Sequence, residues 1–211
     1  MTVSERPATD AAVKGPPLVG RRTRLRPITE YDYEYLFVLA TSEEIGFRWR
    51  HRGETPSPET FTQHLWHGVL AQFLITRKRT GDPIGQVTAY NANLRNRSVY
   101  FGMLIDPALM GAGWTSEAGA LFLNYLFTIW DFRKIYIETI DFNFSNFASG
   151  IGRFFQEEGC LKENDFFNGR YWDMHILALY RRDWERVAAK YLSQLPVDES
   201  SPTSSPADVG A

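Results

Sequence analysis

Residues 105–118 read Ile-Asp-Pro-Ala-Leu-Met-Gly-Ala-Gly-Trp-Thr-Ser-Glu-Ala, with Gly111 and Gly113 set between a strand-like run and an apolar helical pattern. In such a turn successive main-chain N–H groups converge on one concavity. The helix start adds unpaired donors and a partial positive charge, so the geometry suits a pyrophosphate. The stretch is neither a Walker loop, because no Gly-Lys-Ser/Thr follows, nor a dinucleotide fingerprint, because the third glycine is missing. Upstream, residues 97–105 read as a strand. Downstream, Ala118, Leu121, Tyr125 and Ile129 recur at helical spacing.

Working outward, residues 23–28 are extended, and Thr29 can cap a helix over residues 31–40. Pro58 opens a second helix through Phe61, Leu65 and Val69. Residues 72–77 and 84–91 form a hairpin about the turn Thr80-Gly81-Asp82-Pro83. Residues 134–140 are a β-branched strand. A short helix is expected over 149–157, closing strands over 160–166 and 171–180, and a last helix over 184–192. Hairpins followed by a strand-helix-strand unit predict a mixed α/β (α+β) sheet, mostly antiparallel, of about six to seven strands flanked by helices.

The chain has 211 residues, 44% of them hydrophobic and 15% aromatic, enough to build one core. A formal charge of −2 gives no global field for nucleic acid or an anionic membrane. The single cysteine, Cys160, excludes an internal disulfide framework, and no segment has the run of about 18 apolar residues that a membrane span needs. A cytoplasmic protein with no nucleic-acid or membrane partner is expected, as a monomer or homodimer. Residues 1–17 and 196–211 are too poor in large apolar groups to offset ordering entropy, so both ends are expected to be disordered around a domain at 18–195.

The ordered set of motifs resembles the GNAT superfamily of N-acetyltransferases, and within it the branch of ribosomal-protein alanine N-acetyltransferases. The residues that carry the resemblance are Leu25-Arg26-Pro27, the strand 102–107 ending in Pro107, the loop Gly111-Ala112-Gly113-Trp114-Thr115-Ser116-Glu117-Ala118, the strand with Glu138 to Asn143, and then Glu158-Gly159, Gly169, Asp173 and Trp184. It implies a GNAT-like fold and an acyl-CoA co-substrate, acetyl-CoA or another thioester. The diphosphate would lie on Met110, Gly111, Ala112, Gly113, Trp114 and Thr115, the thioester oxygen at main-chain donors near Met103, Leu104 and Ile105, and the pantetheine arm against Asn143 or Asn146. Where many relatives place a general-acid tyrosine, a gapless reading puts Gly150.

Aminolysis of a thioester needs a neutral amine, and a lysine-type amine has a pKa of about 10, so a base must remove a proton. Glu138 is the candidate base and Tyr100 a candidate relay, with Tyr90 beside it. The chemistry requires no metal. Arg48, Arg50 and Arg52 alternate with Trp49 and His51; in extended form their guanidinium groups would face one way and could hold an anionic group of the acceptor. Arg48, Trp49, Arg50 and His64 are therefore the expected acceptor-binding residues. His64 and His67 lack a third ligand in sequence, and Cys160 reads as a packed thiol. The expected reaction is N-acyl transfer to a primary amine of a small molecule, amino acid, aminosugar or peptide. The alternative is an acyl-CoA-binding sensor without turnover.

Overall fold

A computed structural model describes residues 15–193, except residues 48, 51, 110–112, 148–149 and 153 and the side chains of 146, 191 and 192. The ends expected to be disordered lie outside this range, apart from 15–17. The described strands form one seven-stranded sheet in the order β1-β2-β3-β4-β5-β7-β6. These are β1 (Thr23–Arg26), β2 (Val69–Arg77), β3 (Pro83–Asn93), β4 (Ser98–Ile105), β5 (Lys134–Ile140), β6 (Phe155–Phe167) and β7 (Arg170–Tyr180). All neighbours pair antiparallel except β4 and β5.

That exception positions the site. β4 and β5 share register only at Ser98↔Lys134, Val99↔Ile135 and Tyr100↔Tyr136. Beyond Tyr100 the two strands part, and the main-chain groups of β4 that face β5 no longer have a strand to bond. At the same level Gly85 of β3 has φ +156°, and a Cβ there would lie 2.1 Å from the carbonyl oxygen of Leu104, so only glycine lets β3 and β4 approach.

The helices are α1 (Tyr33–Thr41), α2 (Pro58–His64), α3 (Trp114–Ile129), α4 (Asp141–Phe144) and α5 (Arg181–Leu192). Alternation along the strands builds two cores. On one face Phe73, Val87, Phe101, Ile105, Ile135 and Leu177 pack with Leu121, Phe122 and Leu126 of α3 and Trp184 of α5. On the other, Leu74 packs with Leu36 and Ala40 of α1 and Phe61 of α2. No described helix is long and apolar enough to cross a membrane.

Three sequence expectations are corrected. The second helix ends at His64 instead of running through Val69, because Gly68 turns at φ +66° and Val69 starts β2. The helix expected over 149–157 lies earlier, at α4 and the 3-10 turn Ser145–Phe147, while Phe155 already pairs with Leu179 in β6. Gly150 and Gly152 disfavour helix there, and the aromatic pair Phe154-Phe155 favours strand. The described residues of the segment 47–53 are not in a strand. They make turn bonds, with Trp49 N–H on the Ile45 carbonyl, Arg52 N–H on Trp49 and Gly53 N–H on Gly46.

Candidate active site

Gly113 caps α3 with φ +78°, a left-handed conformation that glycine adopts without strain, and Trp114 and Thr115 follow in the first turn. The donors of that turn point out of the helix start; Met110, Gly111 and Ala112 lie outside the described residues. Basic groups gather here. Arg22 Nη1 is 3.5 Å from where a Gly113 Cβ would be, and the Arg77 guanidinium sits 5.8 Å from the Trp114 ring centroid. Leu104 and Ile105 are buried in separate cores, so only their main-chain atoms can meet a ligand.

Glu117 anchors this helix start. Its carboxylate accepts the main-chain N–H groups of Arg21 (2.6 Å), Arg22 (3.0 Å) and Thr23 (2.7 Å) and the Thr23 hydroxyl (2.6 Å). Burial pushes the carboxyl up, yet the Thr23 hydroxyl and the three amides together hold it below the usual range. Gly20 makes the contact possible, since a Cβ there would come within 2.4 Å of the carboxylate carbon. The motif supplied Glu117, but nothing in the sequence signalled a partner about 95 positions away.

On the α1–α2 face of the sheet Tyr90 (β3), Tyr100 (β4) and Tyr136 (β5) form a row with ring centroids 5.6 Å and 5.1 Å apart. Glu138 follows two residues after Tyr136, on the same face, beside the gap between β4 and β5. Burial pushes its carboxyl up, Arg52 pulls it down and Asp165 adds to the rise, leaving it above the ordinary glutamate range. Burial and the nearby Glu138 push Tyr90 up to about 12, and the same two influences raise Tyr100. Both hydroxyls therefore stay protonated and able to donate.

Next to this row a cleft of about 370 Å³ is lined by Trp49, Arg50, Glu54, Phe61, His64 and Gln86 among others. Trp49 reaches over β4 because residue 102 is glycine: a Cβ there would be 3.3 Å from Trp49 Cη2 and 3.4 Å from Tyr90 Cε1. Arg50 is not free to hold an anion. Its guanidinium donates to the carbonyls of Leu65 and His67, both at 3.0 Å, and so fixes the turn segment against the end of α2. Arg52 pairs with the buried Asp165 of β6. The three guanidinium groups expected on one face are thus spent on different partners for the two described, and Arg48 lies outside the described residues.

The structure brings Trp49, Arg50 and His64 to one cleft, and Glu138 and Tyr100 to the adjoining sheet face. Asn143 stands on α4 beyond the end of β5, and Asn146 lies in the following 3-10 turn. At Gly150 a Cβ would come 2.8 Å from Phe155 Cδ2 and 2.9 Å from Phe154 Cε2, so a tyrosine there has to displace two phenyl rings. Sequence reasoning missed Asp165, Glu54 and Tyr136. They reach the site through the β6–β7 hairpin, the turn segment and the strand pairing, none of which leaves a local signature.

A mixed sheet that opens between two parallel strands, above a glycine-capped helix start and beside a carboxylate, is the frame of an acyltransferase that uses a coenzyme A thioester. The family profile described as an acetyltransferase (GNAT) domain matches residues 22–148, and the chain belongs to that family. It is similar to the spermidine N(1)-acetyltransferase of Vibrio cholerae, 28% identical over 159 residues covering 72% of this chain and 91% of that protein. The corresponding enzyme of Escherichia coli K12 is 21% identical over 164 residues, 76% of this chain and 87% of that one. The crystal structure of the Vibrio cholerae enzyme with CoA and spermine superposes with a TM-score of 0.69 at 25% identity, covering 78% of this chain and 98% of that one. This chain is thus an acetyl-CoA-dependent N-acetyltransferase acting on amines. These relatives are spermidine acetyltransferases, so the narrower resemblance to the ribosomal-protein alanine branch gives way to membership of the family as a whole.

Proposed function

We propose that residues 18–195 form a cytoplasmic enzyme, monomer or homodimer, that acetylates a primary amine of a small molecule, with a polyamine as the leading acceptor class. Acetyl-CoA lays its diphosphate on the main-chain donors from Met110 to Thr115 and its thioester in the gap past Tyr100, where those β4 donors from Met103 to Ile105 that face away from β3 meet the carbonyl oxygen. The pantetheine arm passes Asn143 or Asn146. The amine enters from the cleft of Trp49, Arg50 and His64, and Glu138 takes its proton directly or through Tyr100. Nitrogen attacks the carbonyl carbon, the C–N bond forms, the C–S bond breaks, and the coenzyme A thiolate is protonated by a group other than residue 150 or by solvent.

The observation that carries this reading is the position of Glu138: a carboxylate with raised proton affinity, on the acceptor face, at the edge of the gap between β4 and β5. The polyamine class rests on the relatives' substrate together with Glu54 and Glu138 near the cleft, where Arg50 is held by main-chain carbonyls and Arg52 is paired with Asp165. Free-thiol release from acetyl-CoA, followed with spermidine, an uncharged-tail monoamine and a peptide beginning with alanine, tests it. Release with spermidine at the highest kcat/KM is expected. A preference for the peptide overturns the polyamine class in favour of the ribosomal-protein branch, and no release with any amine overturns the catalytic reading of the site.

A further inference from the structure

On the opposite face of β7, under α4, three side chains of different chemistry occupy one small volume. Cys160 of β6 lies directly across from His175 of β7. Glu157 comes three residues before Cys160, and in a regular strand the two would point to opposite faces. They do not, because Glu157 faces Leu177 while Gly159 faces Ile176, so β6 spends one extra residue against β7. This bulge returns Glu157 to the face of Cys160. The Cys160 sulfur, a Glu157 carboxylate oxygen and a His175 nitrogen all lie within 4.8 Å of one another.

The imidazole is also held from behind. Its Nδ1 is 2.6 Å from Glu157 Oε1, its Nε2 is 2.6 Å from Asp141 Oδ1, and its ring stacks on Phe144 with centroids 3.9 Å apart. Asp141 starts α4, so His175 bridges that helix to the two closing strands.

We propose that Glu157, Cys160 and His175 form a zinc site, with Asp141 orienting the imidazole. Thiolate, imidazole and carboxylate are the donors zinc takes from proteins, and a His whose second N–H is bound by a carboxylate presents its other nitrogen as a fixed lone pair. With Nε2–H donated to Asp141, the Nδ1 lone pair faces Glu157 and Cys160, and water completes four-coordination. Zinc replaces two protons, that of the Cys160 thiol and the one Nδ1 otherwise donates to Glu157, and both are released to solvent. The site lies apart from acetyl transfer: Glu138 pairs with Ile176 on the other face of the sheet. Its effect is mechanical, tying the edge strand β6, β7 and the segment bearing Asn143 into one unit.

The test uses the tag-free full chain stripped of metal and titrated with Co²⁺, then Zn²⁺. A thiolate-to-cobalt charge-transfer band with tetrahedral visible bands, bleached by one equivalent of Zn²⁺, is expected. Cys160→Ser should abolish the charge-transfer band, and Asp141→Ala should weaken metal affinity about 10–100-fold. A folded wild-type protein without the band, or Cys160→Ser binding with unchanged affinity and spectrum, overturns the site. If Cys160→Ser fails to fold, alkylation of the wild-type thiol decides: Zn²⁺ should slow it more than tenfold, and an unchanged rate overturns the proposal.

Discussion

Glu138 and Asp32 are carboxylates driven in opposite directions by their surroundings. Burial dominates at Glu138 and raises its proton affinity, which suits a base that must take a proton from an ammonium near neutral pH. Glu138→Gln is expected to lower kcat by about 10²–10⁴-fold, with acetyl-CoA affinity by calorimetry unchanged, and to remove the acidic limb of the pH–rate profile. A wild-type rate at every pH takes Glu138 out of the chemistry. At Asp32 the hydrogen bond from Arg26 outweighs burial and, with the N–H and hydroxyl of Thr29, holds the carboxyl at about 2. Because the folded value lies below the unfolded one, its stabilisation is complete above the unfolded pKa and is lost as pH falls toward the folded value. Asp32→Asn should therefore cost about 2 kcal/mol in urea unfolding at pH 7, a difference that shrinks between about pH 4 and pH 2. At this scale the sequence named Glu138 from its place on a strand. The direction of its shift was illegible, since Arg52 and Asp165 lie 86 and 27 positions away in the chain.

At the N-terminus of α3 the glycine turn and the Glu117 anchor separate binding from folding. Aspartate is a good helix cap and tolerates the left-handed conformation better than most residues, so Gly113→Asp should fold. Its negative charge stands where the diphosphate would lie, and calorimetry should detect no acetyl-CoA binding; wild-type affinity in the folded variant would remove the diphosphate from this turn. Glu117→Ala instead leaves the amides of Arg21, Arg22 and Thr23 and the Thr23 hydroxyl without their shared acceptor. A loss of about 1–3 kcal/mol in chemical unfolding is expected, with β1 the first region to exchange its amide hydrogens. The strands and the helices α1, α3 and α5 were legible from periodicity and capping. The stretch from 141 to 157 was not, because glycines and adjacent aromatics there send conflicting local signals that strand pairing with β7 resolves.

Across the whole molecule, the turn near residue 50, which lines the cleft proposed for the acceptor, is tied to the β6–β7 hairpin by the pair of Arg52 with Asp165. Arg52→Ala would leave Asp165, among the described residues, with only the side chain of its neighbour Asn164. A stability loss of about 1–3 kcal/mol is expected, together with a raised KM for the amine and an unchanged KM for acetyl-CoA; a raised acetyl-CoA KM would show that the contact shapes the thioester site as well. The glycine turn before α3, the alternation that buries each strand face and the order of the elements were determined by the sequence alone, because each depends on residues a few positions apart. The parting of β4 from β5, the row of three tyrosines, the partners that occupy Arg50 and Arg52, and the bulge that turns Glu157 toward Cys160 were decided only in the tertiary structure. They depend on which distant strand supplies the next hydrogen bond, and that competition is settled by packing over the entire sheet.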